Sequence, residues 1–235
     1  MRKLPPPGNV RRTRSLGTNI RSECISGKDE SVIQVESFLE RILALIFDRD
    51  PTVKRYRSQP IFIPYKDAKG VQRNYPPDFE VERIDGSIEI HEVALSKRRE
   101  KESAKLREEA AIRYCQEQGW KYCAHTEQTL PNPTEATNLY SLYGYSARCF
   151  CEDEIRGILL RDLEIGKKWR ITDIAEQLAK NLGISRGYVV ATICWMVWHS
   201  ELEINMSTLI FVSGEPNRES SIWRKKGAQN EPQKN

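Results

Sequence analysis

Four acidic residues fall in an order that metal-assisted chemistry can use. Glu36 and Glu40 bracket the run Glu36-Ser37-Phe38-Leu39-Glu40, and on a helix a spacing of four puts both on one face, here the edge of an apolar stripe. Asp78 follows Pro76 and Pro77 and precedes Phe79 at the start of a strand pattern. Glu92 lies in His91-Glu92-Val93-Ala94 on the partner strand, where alternation turns Glu92 and Ala94 to the same side. A hairpin can set Asp78 beside Glu92, and the first helix can bring Glu40 over the same spot. Three converging carboxylates suit a hard cation with oxygen ligands, magnesium or manganese. Such a cation activates water and neutralises charge developing on a phosphodiester. A lysine is expected two residues beyond Glu92, to position the attacking water and offset phosphate charge; Ala94 stands there. Singly, each acid reads as a solvated helix edge, a strand start or an exposed strand residue. The ordered set points to a site.

The elements that must position these residues follow from periodicity. Val35, Phe38, Leu39, Ile42, Leu43 and Ile46 recur at helical spacing in a segment opening at Ser31 and ending near residues 48–51. Residues 59–65 alternate as a strand through Ile61 and Ile63. Residues 78–84 and 87–95 read as an antiparallel pair about the turn Asp85-Gly86. Residues 96–118 read as one charged helix closed by Gly119, and residues 120–126 as a buried strand. The order predicts a mixed sheet flanked by helices, one α/β layer domain.

Beyond it, residues 127–150 read as a bridge with Pro131, Pro133 and the aromatic run Tyr140, Tyr143 and Tyr145. Short helices are expected over 155–162, 172–182 (capped by Thr172 or Asp173) and 185–198, followed by strand-like segments over 201–212. Leu182-Gly183-Ile184-Ser185 makes a tight turn between two helices, a helix-turn-helix with a following wing. In such motifs the N-terminal residues of the second helix enter a major groove, here Ser185, Arg186 and Tyr188. Protein docking is the alternative, because Arg186 is the lone basic residue of that helix and Trp195, Met196 and Trp198 are apolar.

The net charge of +4 over 235 residues permits a polyanionic partner without requiring one. Basic residues concentrate in an N-terminal arm through Arg11, Arg12 and Arg14, and in Lys97-Arg98-Arg99. Both are candidates for phosphate contact, with a solvated tail and a solvated helix start as the bland readings. The longest apolar run, residues 189–198, is too short to cross a bilayer, and Pro5, Pro6 and Pro7 stand where a signal peptide needs apolar residues. A cytoplasmic protein is therefore expected, with its six cysteines as thiols. Cys149 and Cys151 are paired through one residue and Cys115, Cys123 and His125 lie upstream, but without paired Cys-x-x-Cys spacing zinc is not expected.

Pro77-Asp78 followed by Glu92-Val93-Ala94 resembles the PD-(D/E)xK nuclease signature without its lysine. The segments ESFLERILALIFDRDPTVKRYRSQPIFIPY, NYPPDFEV, IEIHEVALSKRREK and EEAAIRYCQEQGWKYCAHTE resemble, over about residues 31–128, the N-terminal catalytic domain of TnsA, a transposon endonuclease. The resemblance implies a restriction-endonuclease-like core followed by a mostly α winged-helix domain. It implies Glu40, Asp78 and Glu92 as acidic site residues, a metal contact from the Val93 backbone carbonyl, and Glu36 as a neighbour. It implies magnesium-dependent hydrolysis of the 5′ strand at transposon ends, beside a TnsB-type DDE transposase and a TnsC-type ATPase; some relatives serve CRISPR-associated transposons. Ala94 reads as a lysine-to-alanine inactivation, with natural loss, or relocation to Lys97, as the alternative. The expected organisation is a basic arm over residues 1–30, the nuclease domain and bridge over 31–150, the winged helix over 151–215 and a polar tail over 216–235. Two rivals stand beside this reading: a non-catalytic DNA-binding or assembly module, and a winged-helix regulator that leaves the acidic residues unexplained.

Overall fold

The computed structural model describes residues 22–225. The arm residues Arg11, Arg12 and Arg14 and the end of the polar tail lie outside them. The chain divides into two units, the first ending at Asn132 and the second beginning at Pro133.

The described part of the first unit begins with a hairpin, so the end of the stretch expected as an arm is strand: β1 (Ser22–Ile25) pairs antiparallel with β2 (Val32–Val35). The periodic segment expected as helix from Ser31 thus begins as a strand, and α1 runs only from Phe38 to Arg49. The reason is local. Ser37 caps the helix by accepting from the Glu40 amide at 3.1 Å, while Glu40 accepts from the Glu36 amide and the Ser37 hydroxyl, each at 2.8 Å. This reciprocal Ser-x-x-Glu box fixes the first turn at Phe38.

Next come β3 (Val53–Ser58), the hairpin of β4 (Ile63–Lys66) and β5 (Gln72–Tyr75), then β6 (Phe79–Arg83) and β7 (Ile88–Val93). The single strand expected over 59–65 is therefore broken: Gln59 takes a left-handed φ of 43° between β3 and β4. The turn between β6 and β7 is as expected, with Gly86 at φ 85° and the Asp85 carboxylate accepting from the Ser87 amide at 2.9 Å. The helix expected over 96–118 is two, α2 (Ser96–Arg99) and α3 (Glu102–Gln118), and Gly119 at φ 69° ends the second. Last comes β8 (Lys121–His125).

The main sheet has the order β3-β6-β7-β8, antiparallel except for the parallel β7–β8 pair. It is a mixed sheet flanked by helices, compatible with a restriction-endonuclease-like core. One face carries Tyr56, Phe79 and His91, which meet Phe47 of α1 at ring centroid distances of 5.7, 5.5 and 4.8 Å. On the other, Tyr122 packs with Tyr114 and Ala111 of α3 and with Ile63 and Tyr75 of the β4–β5 hairpin. Alternation along β7 thus sorts its residues between two covered faces.

The second unit contains α4 (Pro133–Tyr143), a short 3-10 turn, α5 (Asp153–Asp162), β9 (Trp169–Arg170), α6 (Ile171–Leu182) and α7 (Arg186–Trp198). Four short strands follow: β10 (Glu203–Ile204), β11 (Phe211–Val212), β12 (Glu215–Pro216) and β13 (Ser221–Trp223). The residues expected as a bridge thus contain a helix. The tail expected from residue 216 supplies β13, the middle strand of a sheet ordered β10-β13-β9. The cap of α6 is Arg170, two positions before Thr172 and three before Asp173. No helix among the described residues is long and apolar enough to cross a membrane.

Asn138 of α4, 1% exposed, organises the strand-rich end of this unit. Its amide nitrogen donates to the Met206 and Thr208 carbonyls at 2.9 and 2.7 Å, and its oxygen accepts from the Ile210 amide at 2.8 Å. Asn138→Ala leaves three backbone groups without their partner and is expected to cost about 2–4 kcal/mol. Urea unfolding followed by tryptophan fluorescence checks this, since four of the five tryptophans belong to this unit; a loss below about 0.5 kcal/mol would show that water replaces the amide at no cost.

Candidate active site

Asp78 immediately precedes β6, Glu92 is the penultimate residue of β7, and Glu40 sits in the first turn of α1. Asp78 is held from two sides, by β7 and by the residue that follows β3. Its Oδ2 accepts from the Val93 amide at 2.7 Å, and its carbonyl accepts from the Gln59 amide at 2.9 Å. Glu92 in turn accepts from the Asp78 backbone amide. The two carboxylates therefore reach across the β6–β7 pair, Asp78 to the Val93 amide and Glu92 to the Asp78 amide.

Burial and mutual repulsion show in their acidities. Burial, then the charges of Glu92 and Glu40, push Asp78 well above the usual carboxylate range. Burial pushes Glu92 up to about 7, with Glu40 adding to the rise and the Arg107 and Arg99 charges opposing it. Burial raises Glu40 as well, against the hydrogen bonds from Glu36 and Ser37. The Oε2 atom of Glu92 is buried and has no hydrogen-bond partner in the described structure. A buried carboxylate oxygen without a hydrogen-bond donor, among like charges, has acceptor capacity left unused.

The structure brings Glu40, Asp78 and Glu92 into electrostatic range of one another. Glu36 acts through Glu40, donating its amide to that carboxylate. Ala94 follows β7 and donates its amide to the His125 carbonyl at 3.1 Å, which holds the chain strand-like at the position expected for lysine. Lys97 and Arg98 are exposed on α2, whereas Arg99 is tied to Glu108. In the second unit Ser185 caps α7 and accepts from the Gly187 amide at 3.2 Å. Arg186 pairs with Glu215 and, at 3.7 Å, with Glu176. Tyr188 is 58% exposed.

Two features were missed in the sequence. One is the capping role of Glu40, although Ser37-x-x-Glu40 is a readable signature. The other is Arg107, whose charge acts on both Asp78 and Glu92. It lies over the Tyr75 ring, 5.8 Å from the centroid. No spacing rule links a mid-helix arginine of α3 to strands that precede it.

Residues 50–127 match the family model for the TnsA-like endonuclease N-terminal domain. The matched segment is about a third of the chain and supports a TnsA-like relationship for this part. It contains Asp78, Glu92 and Ala94, while Glu40 lies before it. None of the curated proteins matches the chain.

Proposed function

We propose that the chain is a metal-dependent DNA endonuclease of a transposition machine, hydrolysing the 5′, non-transferred strand at transposon ends. The observation that carries this reading is the convergence of Glu40, Asp78 and Glu92, two of them inside the segment that matches a TnsA-like endonuclease domain. The residues fit a hard divalent cation. The bare Glu92 Oε2 and the mutual repulsion of three carboxyls are what such an ion relieves. Glu40, Asp78, Glu92 and the Val93 carbonyl would hold magnesium or manganese. When bound, the ion supplies an activated water and charge neutralisation at the phosphodiester. Glu40 enters such a site already oriented by its capping bonds, and Asp78 by the Val93 amide. Ala94 provides no cation for the attacking water, so this chain is expected to turn over poorly.

The arm with Arg11, Arg12 and Arg14, and the exposed Lys97 and Arg98, suit DNA phosphates. The partners in this reading are transposon-end DNA, a TnsB-type DDE transposase and a TnsC-type ATPase. The second unit reads as a winged helix: α6 and α7 form the helix-turn-helix, and β11–β12 is a small wing. Its Arg186 is already matched by Glu176 and Glu215, which favours docking of a protein over phosphate contact. The second reading, a non-catalytic assembly module that keeps the nuclease fold, rests on Ala94.

The test is cleavage of end-labelled transposon-end DNA by the full chain with its transposase, with magnesium or EDTA, beside Asp78→Asn. Residual magnesium-dependent cutting of the 5′ strand that Asp78→Asn reduces at least about 100-fold is the expected result. Cutting that survives Asp78→Asn, or that ignores EDTA, overturns the site.

A further inference from the structure

The face of β7 turned away from Glu92 carries a different set of donors. In the β6–β7 register Phe79 stands opposite His91 and Val81 opposite Glu89, and in the parallel β7–β8 register His91 stands beside Cys123 and Val93 beside His125. Glu89, His91, Cys123 and His125 therefore share the face that α1 covers through Phe47. Glu89 and His91 are buried, and Cys123 is partly so. One donor atom from each of Glu89, His91 and Cys123 lies within 4.8 Å of the others.

We propose that Glu89, His91 and Cys123 bind a borderline-soft divalent cation of the zinc type, at a second site clamping β7 to β8 behind Glu92. The donor chemistry selects the ion. A carboxylate oxygen, an imidazole nitrogen and a thiolate suit zinc or cobalt, whereas magnesium takes oxygen alone. The spacing fits: ligands at about 2.0–2.3 Å around a tetrahedral ion sit roughly 3.3–3.8 Å apart. His91 Nε2 and the Glu89 carboxylate are 3.1 Å apart at their nearest, and the Cys123 donor lies within 4.8 Å of the other two.

His125 serves this site as an outer partner. Its ring stacks on His91 at 5.1 Å and 8°, with its Nε2 2.8 Å from His91 Nδ1. Without metal, His91 Nε2–H donates to ionised Glu89 and Nδ1 accepts from His125. With metal on Nε2, the His91 proton sits on Nδ1 and is donated to His125 Nε2, while the proton that His125 gives up there is held on its Nδ1. Both rings stay neutral, and the one proton released to solvent comes from the Cys123 thiol. Such a partner fixes the tautomer and orientation of a ligating imidazole. Arg83 holds Glu89 Oε2 at 2.7 and 2.9 Å, which keeps that carboxylate ionised and leaves Oε1 as the oxygen that would take the ion. Lys121, 3.3 Å from Oε1, has a side chain 70% exposed and can swing into solvent when an ion arrives. Four positions on two adjacent strands then act as one cross-link beneath the strand that carries Glu92.

The inference stands apart from the endonuclease reading and is tested without DNA. Cobalt(II) is titrated into the metal-free full chain, and the near-ultraviolet sulfur-to-cobalt charge-transfer band is recorded. One equivalent is expected to give the band, zinc to abolish it, and magnesium to leave it unchanged. Cys123→Ser is expected to lose the band while keeping the parent far-ultraviolet dichroism. Cys149→Ser, which removes an exposed thiol, and Asp78→Asn are expected to keep it. His125→Asn is expected to weaken cobalt about 10- to 100-fold. A folded chain that gives no band, or a band that survives in Cys123→Ser, overturns the proposal and leaves a hydrogen-bonded network without metal.

Discussion

Ala94→Lys is expected to raise magnesium-dependent cleavage of the 5′ strand at transposon ends by about 10²- to 10³-fold, measured as single-turnover rate with the transposase present. The argument is geometric. Glu92 and Ala94 are two apart, so a side chain at 94 projects to the Glu92 side. The strand at that point is held independently of the side chain, by the Ala94 amide on the His125 carbonyl at 3.1 Å. Ala94 is also partly exposed, so a lysine can enter without displacing packed core. Its ammonium would arrive among three carboxyls that repel one another, which favours the charged amine. The gain must appear in the rate rather than in DNA affinity, because the missing group acts on developing charge. A rate that stays flat while both forms assemble equally with transposase and end DNA would move the chain to the assembly-module reading. The size of the gain also measures how far Arg107 and Arg99, the cations that already act on Glu92, stand in for the absent lysine.

The second large effect is on stability. A carboxyl raised from 4.5 to about 7 holds its proton better in the folded than in the unfolded chain. Its contribution therefore favours the fold below the unfolded pKa and is lost as pH rises through the folded one. For Glu92 the loss between about pH 4.5 and pH 7 is on the order of 3 kcal/mol, and Asp78, raised by the same causes, changes stability in the same direction. His91 works the other way: burial holds it down to about 4, so it adds stability as pH rises from 4 toward 6.5. The expected result is thus a difference between proteins. Relative to the parent chain, metal-free Glu92→Gln is expected to be equally stable at about pH 4 and about 1–3 kcal/mol more stable at about pH 7.5. Magnesium is expected to raise the melting temperature of the parent at pH 7.5 and to leave Glu92→Gln nearly unchanged. Parallel pH profiles for the two proteins would show that Glu92 does not carry the repulsion that a cation relieves.

The sequence by itself determined the strand pair that carries Glu92 and follows directly on Asp78, because period-two alternation and an Asp-Gly turn are local properties. Glu92 lies on β7 and Asp78 immediately before β6, and the turn at Asp85-Gly86 that joins these strands forms as that pattern expects. It determined the Gly119 and Gly183 helix ends for the same reason, since both adopt left-handed φ values, 69° and 67°. It misread places where two local patterns overlap. Val35 fits both a helical stripe and a strand, and the Ser37–Glu40 cap decided between them. Residue 216 onward looks polar, yet β13 becomes a middle strand because β9 and β10 need a common partner. What only the tertiary structure decided is which distant side chains share a low-dielectric space. Arg107 beside the carboxyls, and Cys123 beside His91 and Glu89, depend on the packing of α3 and the parallel register of β8. Both are long-range pairings, and no repeat or spacing along the chain encodes them.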